Sequence, residues 1–158
     1  MSLTISRQAL RVIVDTIRDS DDSLETGGAL FGPDTADVIE HATTPGPGAV
    51  HRPGFFSRDL AYTESEAARL YRLDGSQWIG EWHTHPSMRL HPSELDVSTY
   101  ARHLLDPELR FQLFLALICS TSEPIRIAAW RVQIDGGRIE VLPVLFAPER
   151  DAPDCITR

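Results

Sequence analysis

Two histidines separated by one residue, His83 and His85, stand in the run Glu81-Trp82-His83-Thr84-His85-Pro86, and Ser93 and Asp96 follow shortly after. Trp78, Ile79, Trp82 and Thr84 favour extended chain. Side chains of a strand alternate between its faces, so His83 and His85 point the same way. Two imidazoles on one rigid face are a ready pair of metal ligands. Pro86 ends the strand and turns the chain. Ser93 then opens a helix with Asp96 in its first turn, where the carboxylate is the natural third ligand. Two His and one Asp, with no Cys nearby, suit zinc. Three protein ligands leave one coordination position open, the pattern of a catalytic rather than a structural site. The same Ser93-Glu94-Leu95-Asp96 also reads as a helix N-cap with a supporting carboxylate, which needs no metal.

A candidate base stands upstream, Glu25 in Glu25-Thr26-Gly27-Gly28-Ala29-Leu30-Phe31-Gly32. Taken together, Glu25 with Thr-Gly-Gly, then His83-x-His85-Pro86, then Ser93-x-x-Asp96, resemble the motif of the JAB/MPN/Mov34 (JAMM) metalloprotease family in its bacterial branch. The ten residues between His85 and Asp96 match that family's spacing. The resemblance spans residues 1 to about 145. It implies that His83, His85 and Asp96 bind Zn2+, that Glu25 moves a proton from water to the leaving amine, and that Ser93 hydrogen-bonds the oxyanion of the tetrahedral intermediate. By the same resemblance the substrate is the C-terminal tail of a ubiquitin-like protein, removed from a conjugate or processed from a precursor. Two other readings belong to different classes: a hydrolase releasing an amino acid from a sulfur-carrier protein, and a non-catalytic MPN scaffold. Scaffold members typically lose motif residues, whereas this chain keeps all of them.

Other residues compete for these roles. Glu81 shares the His83 face by strand alternation, so it reads either as a partner that orients an imidazole or as a fourth ligand that closes the site. His91 lies in the loop between the ligands and matches no motif position. His41, His51 and His103 have no partner spacing and read as ordinary surface or half-buried residues. Thr26-Gly27-Gly28 lacks the lysine of a phosphate loop; its glycines read as sites of close backbone approach.

A chain of 158 residues, 42% hydrophobic, is long enough for one proper core and is neither disordered nor membrane-like in composition. No apolar run reaches membrane-spanning length, and the first residues lack the apolar core of an export signal. Fifteen basic against 23 acidic residues give a net charge of −8, which argues against a general nucleic-acid surface. Every basic residue is arginine. A GC-rich genome accounts for the absence of lysine, and so would escape from conjugation by a protein that acts on lysine conjugates. Cys119, in an apolar run, reads as a core residue, and Cys155 lies near the C-terminus. Neither forms a disulfide framework, and the expected location is the reducing cytoplasm.

These groups must be positioned by an α/β fold: a single JAMM/MPN-type domain over 1–146, with a mixed β-sheet flanked by helices in a cytidine-deaminase-like architecture, and a frayed tail over 147–158. Apolar periodicity predicts helices at about 6–19, 59–73 and 93–105. Strands are expected at 26–32, 36–44, 77–85, 111–120, 125–133 and 138–146, the last two joined by Asp135-Gly136-Gly137. Residues 45–57, rich in Pro and Gly, read as a long substrate-contacting loop, with Phe55 and Phe56 either gripping substrate or packing inward.

Overall fold

The computed structural model describes residues 2–149. Along the chain it runs β1 (Ser2–Ile5), α1 (Arg7–Arg18), β2 (Gly27–Gly32), β3 (Val38–Ile39), β4 (His41–Ala42), β5 (Val50–Arg52), β6 (Phe55–Ser57), α2 (Leu60–Asp74), β7 (Gln77–Thr84), α3 (Glu94–Leu105), β8 (Phe114–Cys119), β9 (Ile127–Asp135) and β10 (Arg138–Pro148). Eight strands form one mixed sheet in the order β3-β1-β10-β9-β8-β7-β2-β4, and β5 and β6 form a separate hairpin. The mixed sheet flanked by helices is the expected fold class.

The sheet interior follows from composition. β8 reads Phe-Leu-Ala-Leu-Ile-Cys and is buried at every position, as befits a central strand covered on both faces. β7 lies inside the sheet, parallel to β8 and antiparallel to β2. On one face Ala9, Ile13 and Ile17 of α1 meet Leu30, Ile79, Trp82, Leu115 and Leu117. On the other, Tyr100 of α3 meets Phe114, Ala116 and Val132, and Leu70 of α2 meets Ala29 and Phe31. Trp78 joins this second face, although strict alternation would place it with Trp82. A register shift opposite Leu30/Phe31 supplies the change of parity.

The helices begin where their caps dictate. Ser6, Asp59 and Ser93 each accept a backbone N–H of the first turn, and Gly75 ends α2 in the left-handed region at φ 79°. The Gly136-Gly137 turn, with φ 55° and 77°, joins β9 to β10 as expected.

Four expectations are corrected. Residues 36–44 are not one strand: β3 and β4 are two residues each and lie at opposite ends of the sheet order, with Glu40 between them. The chain crosses there from β1 to β2, so no single neighbour is available over the whole stretch. The Glu40 N–H donates to Phe31 O (2.9 Å) and the Ser6 hydroxyl to Glu40 O (2.7 Å), fastening the two sheet ends together. Ser2–Ile5, unassigned from sequence, is a strand because β10 and β3 flank it in parallel. The loop at 45–57 contains the β5–β6 hairpin. Finally, β10 continues past residue 146 to Pro148, held by β1, and the Glu149 N–H donates to Ile5 O. The rest of the expected tail, Cys155 included, lies outside the described residues. Among the described residues no helix is long and apolar enough to cross a membrane.

Gly28 in β2 has a structural reason. A Cβ there would collide with the Thr43 carbonyl oxygen, which accepts the Trp82 indole N–H at 3.0 Å. Gly28→Ala is expected to lower stability by about 1–3 kcal/mol. Urea denaturation checks this, and an unchanged midpoint would contradict the close approach.

Candidate metal centre

β7 carries His83 into the middle of the sheet, opposite Gly27 of β2 and Ile118 of β8. His85 lies just beyond the strand, its N–H donating to Cys119 O (2.9 Å). Asp96 reaches the same point from the first turn of α3. Ser93 Oγ accepts the Asp96 N–H (3.1 Å) while Asp96 Oδ2 accepts the Ser93 N–H (2.7 Å). The capping and ligand readings of this segment therefore coexist, because the cap itself orients the carboxylate.

The three side chains converge tightly. His83 Nε2 lies 2.9 Å from His85 Nε2, and Asp96 Oδ2 lies 3.3 Å from the first and 3.1 Å from the second. His83 is 3% exposed and His85 6%. Their outer nitrogens settle the proton positions. His85 Nδ1 sits 2.7 Å from the Arg89 carbonyl, which can only accept, so that nitrogen bears the hydrogen. His83 Nδ1 faces Glu81 Oε1 at 3.4 Å and bears one for the same reason. In the neutral rings both Nε2 atoms are then bare lone pairs, pressed against a carboxylate oxygen. Three acceptors this close, away from water, require a positive charge among them, from a metal ion or, without one, from a proton on His83. A tetrahedral zinc site with bonds of about 2.0 Å places its ligand atoms roughly 3.3 Å apart, so the donor set fits zinc in type and in spacing. Among the described residues this is the grouping of three side chains able to hold a metal ion.

Charge perturbations follow the geometry. Burial opposes the charged forms of His83 and Asp96, but their mutual contact outweighs it. Asp96 and Glu81 push His83 up to about 10, and the two imidazoles hold Asp96 far below the usual carboxylate range. Glu25 is displaced the other way: burial raises its pKa, with the nearby histidines partly opposing. A half-buried carboxylate of raised proton affinity suits proton transfer.

Two clefts meet at Glu25. One, about 320 Å³, includes Glu25, Glu81, His83 and Asp96 with Phe55, Leu60 and Leu95. The other, about 420 Å³, includes Glu25, His85, Ser93 and His91. The β5–β6 hairpin anchors Glu25: its N–H donates to Arg52 O (2.8 Å), and His51 Nδ1 donates to its carbonyl (3.0 Å). All five motif residues thus surround one place. Glu81 lies at the Nδ1 edge of His83, remote from the converging Nε2 atoms, and so takes the orienting position. His91 stays outside the cluster, its ring against Trp130. His41 pairs with Asp74 on the surface. His51 and His103 prove less ordinary than their spacing suggests, one holding the Glu25 backbone and the other lining the first cleft. Sequence reasoning also missed Arg58, whose Nη1 contacts Glu81 Oε2 at 3.3 Å, since 23 positions separate the pair.

Residues 6–133 match the family model described as prokaryotic homologs of the JAB domain. The chain belongs to this family. Among curated relatives, a CD-NTase/cGAS isopeptidase of Pseudomonas aeruginosa is 36% identical over 106 residues, covering 63% of this chain and 66% of that protein. A probable metalloprotease of Sinorhizobium fredii is 32% identical over 118 residues, covering 70% and 72%. A CD-NTase/cGAS isopeptidase of Escherichia coli is 28% identical over 97 residues, covering 59% and 62%. The chain therefore spans about two thirds of these relatives' lengths. The solution structure of a Desulfitobacterium hafniense protein has the same fold, with a TM-score of 0.63 at 21% identity over 93% of this chain and 94% of that one.

Ser93→Ala removes the acceptor for the Asp96 N–H. It is expected to cost about 1 kcal/mol of stability, the usual worth of an N-cap. Chemical denaturation of the metal-free protein measures it, and a loss of zero would mean that the cap is not formed in solution.

Proposed function

We propose that this chain is a zinc-dependent isopeptidase of the JAMM type, cleaving the amide at the C-terminal tail of a ubiquitin-like protein, either in a conjugate or in a precursor. The observation that carries the reading is the convergence of three lone-pair donors beside a half-buried carboxylate of raised proton affinity. Relatives named isopeptidase and metalloprotease support a conjugated protein as substrate over a sulfur carrier.

His83 Nε2, His85 Nε2 and Asp96 Oδ2 would hold the zinc. When bound, zinc supplies Lewis acidity, lowering the pKa of water from about 15.7 to roughly 7 and polarising a carbonyl. Glu25 lines both clefts and takes the proton released as water attacks. It then returns that proton to the departing amine, so that the amine leaves neutral. Ser93 uses its oxygen lone pair for the Asp96 N–H and keeps its hydroxyl hydrogen to donate to the carbonyl oxygen as charge builds there. The hairpin at the cleft supplies the grip. β5 is tied to the Glu25 segment, whereas β6 has β5 as its pairing strand and its other edge can add an extended tail. Phe55, 43% exposed, and Phe56 stand beside that edge in the cleft. Only eight residues, 106–113, separate α3 from β8, leaving no large insertion to read the linkage between joined proteins. A buried, unpaired Cys119 is in keeping with a cytoplasmic setting.

Elemental analysis is expected to find about one zinc per chain, lost in His83→Ala and His85→Ala; equal zinc in all three would refute the ligand assignment. Glu25→Gln is expected to keep zinc and fold while turnover falls roughly a hundredfold to ten-thousandfold. The substrate assay uses fusions that present a ubiquitin-like protein through its C-terminal tail. Zinc-dependent release of the intact tail is expected from the wild type and not from Glu25→Gln. Equal cleavage of unstructured peptides would count against a tailed protein substrate. Cleavage of none by zinc-loaded enzyme would favour the sulfur-carrier reading.

A further inference from the structure

We infer that Arg58 is a positioning residue for the metal centre, acting through Glu81 to fix the tautomer and orientation of His83. This rests on the reading of His83 as a metal ligand. A short relay runs from the cleft wall to the ring: Arg58 Nη1 to Glu81 Oε2 at 3.3 Å, then Glu81 Oε1 to His83 Nδ1 at 3.4 Å. Both Arg58 and Glu81 side chains are only 15% exposed, so this is not a solvated surface pair. The guanidinium lies over the Trp78 ring, 4.9 Å from its centroid. Trp78 is itself pinned, its indole N–H donating to Gly80 O (2.7 Å) and its edges set against Phe111 and Phe114. Arg58 Nε is buried without a hydrogen-bond acceptor, which leaves Glu81 and the indole face as what holds this side chain in place.

Without the guanidinium, the Glu81 carboxylate keeps His83 Nδ1 as a partner but loses the group that fixes its other oxygen. It is then free to swing toward the metal and fill the position a substrate needs, and the His83 ring loses the contact that sets its orientation. Arg58 closes that route by holding Glu81 Oε2, so that Oε1 stays at the Nδ1 edge of the ring. A lysine cannot replace it, because the hold combines a planar fork with stacking on an aromatic face. Outer partners of ligating histidines typically contribute 10- to 100-fold in metal affinity.

The test measures zinc dissociation constants by competition with a chromophoric chelator, for wild type, Arg58→Met, Glu81→Ala and the double variant. Thermal melts of the metal-free proteins establish that each is folded. Arg58→Met is expected to weaken zinc binding 10- to 100-fold, and the double variant to bind no more weakly than Glu81→Ala alone, since Arg58 acts through Glu81. Nitrogen NMR of the zinc-loaded wild type should show His83 protonated at Nδ1, with that signal lost or exchange-broadened in Arg58→Met. If Arg58→Met does not fold, Arg58→Lys takes its place, and zinc affinity equal to wild type overturns the inference. So does Arg58→Met with wild-type zinc affinity and a raised KM, which would make Arg58 a substrate contact, or a double variant whose losses add. A wild type that takes up no zinc overturns the proposed function itself, a different result from one in which wild type and Arg58→Met bind zinc equally.

Discussion

Three electron pairs aimed at one point organise this molecule. Two imidazole nitrogens and a carboxylate oxygen within 3.3 Å of one another repel unless a metal ion or a proton lies among them, and flexible side chains would turn away. They stay because each is fixed by something other than an ion. His83 is embedded in an interior strand, and His85 is latched by its Nδ1–H to the Arg89 carbonyl and by its backbone N–H to β8. Asp96 is held by the cap of its own helix. The sheet and α3 therefore pre-arrange the donors, and the cost of crowding them is met by folding rather than by the ion.

How much of this was legible before folding depends on the range over which each signal acts. The convergence of His83, His85 and Asp96 was readable because His-x-His is a strand-period pattern and Ser93-x-x-Asp96 a helix-start pattern, both local. Glu25 was not: nothing within several residues of it signals a base, and only resemblance to a family singled it out. The Glu81 position was half legible. Alternation placed it on the His83 face, but only three-dimensional packing shows which ring nitrogen it meets. Trp78 defeated alternation outright, because a register shift in β7 moves it to the α3 side. The strand at Ser2–Ile5 and the last turns of β10 validate each other across some 140 residues of chain, a pairing no local pattern reveals. The hairpin at Val50–Ser57 was hidden by the Pro and Gly around it.

The segment from Pro45 to Asp59 links these parts. Its base is fastened by the Asp59 N–H to Pro45 O (2.9 Å) and by Gly48 N–H to the Asp59 carboxylate (2.8 Å). One arm of the hairpin holds the Glu25 backbone, and the chain leaving the other arm carries Arg58 to Glu81. A stretch that looks like a surface loop thus reaches the Glu25 backbone on one side and, through Arg58, the Glu81 carboxylate on the other. Its tight seating matters more to the centre than its length or composition suggests.

The meeting of β3 and β4 at Glu40 has its own consequence. An open eight-stranded sheet would offer two long rows of unsatisfied amides and carbonyls, a template on which other copies of the chain could stack. Here the outermost strands are two residues each and belong to one short stretch of chain, tied together at Glu40. The main sheet is thus blunted at both edges, and under the proposed function the edge offered to an extended tail is confined to the three-residue strand β6. Such an edge would be long enough to engage the end of a tail, yet too short to seed a fibre of its own kind.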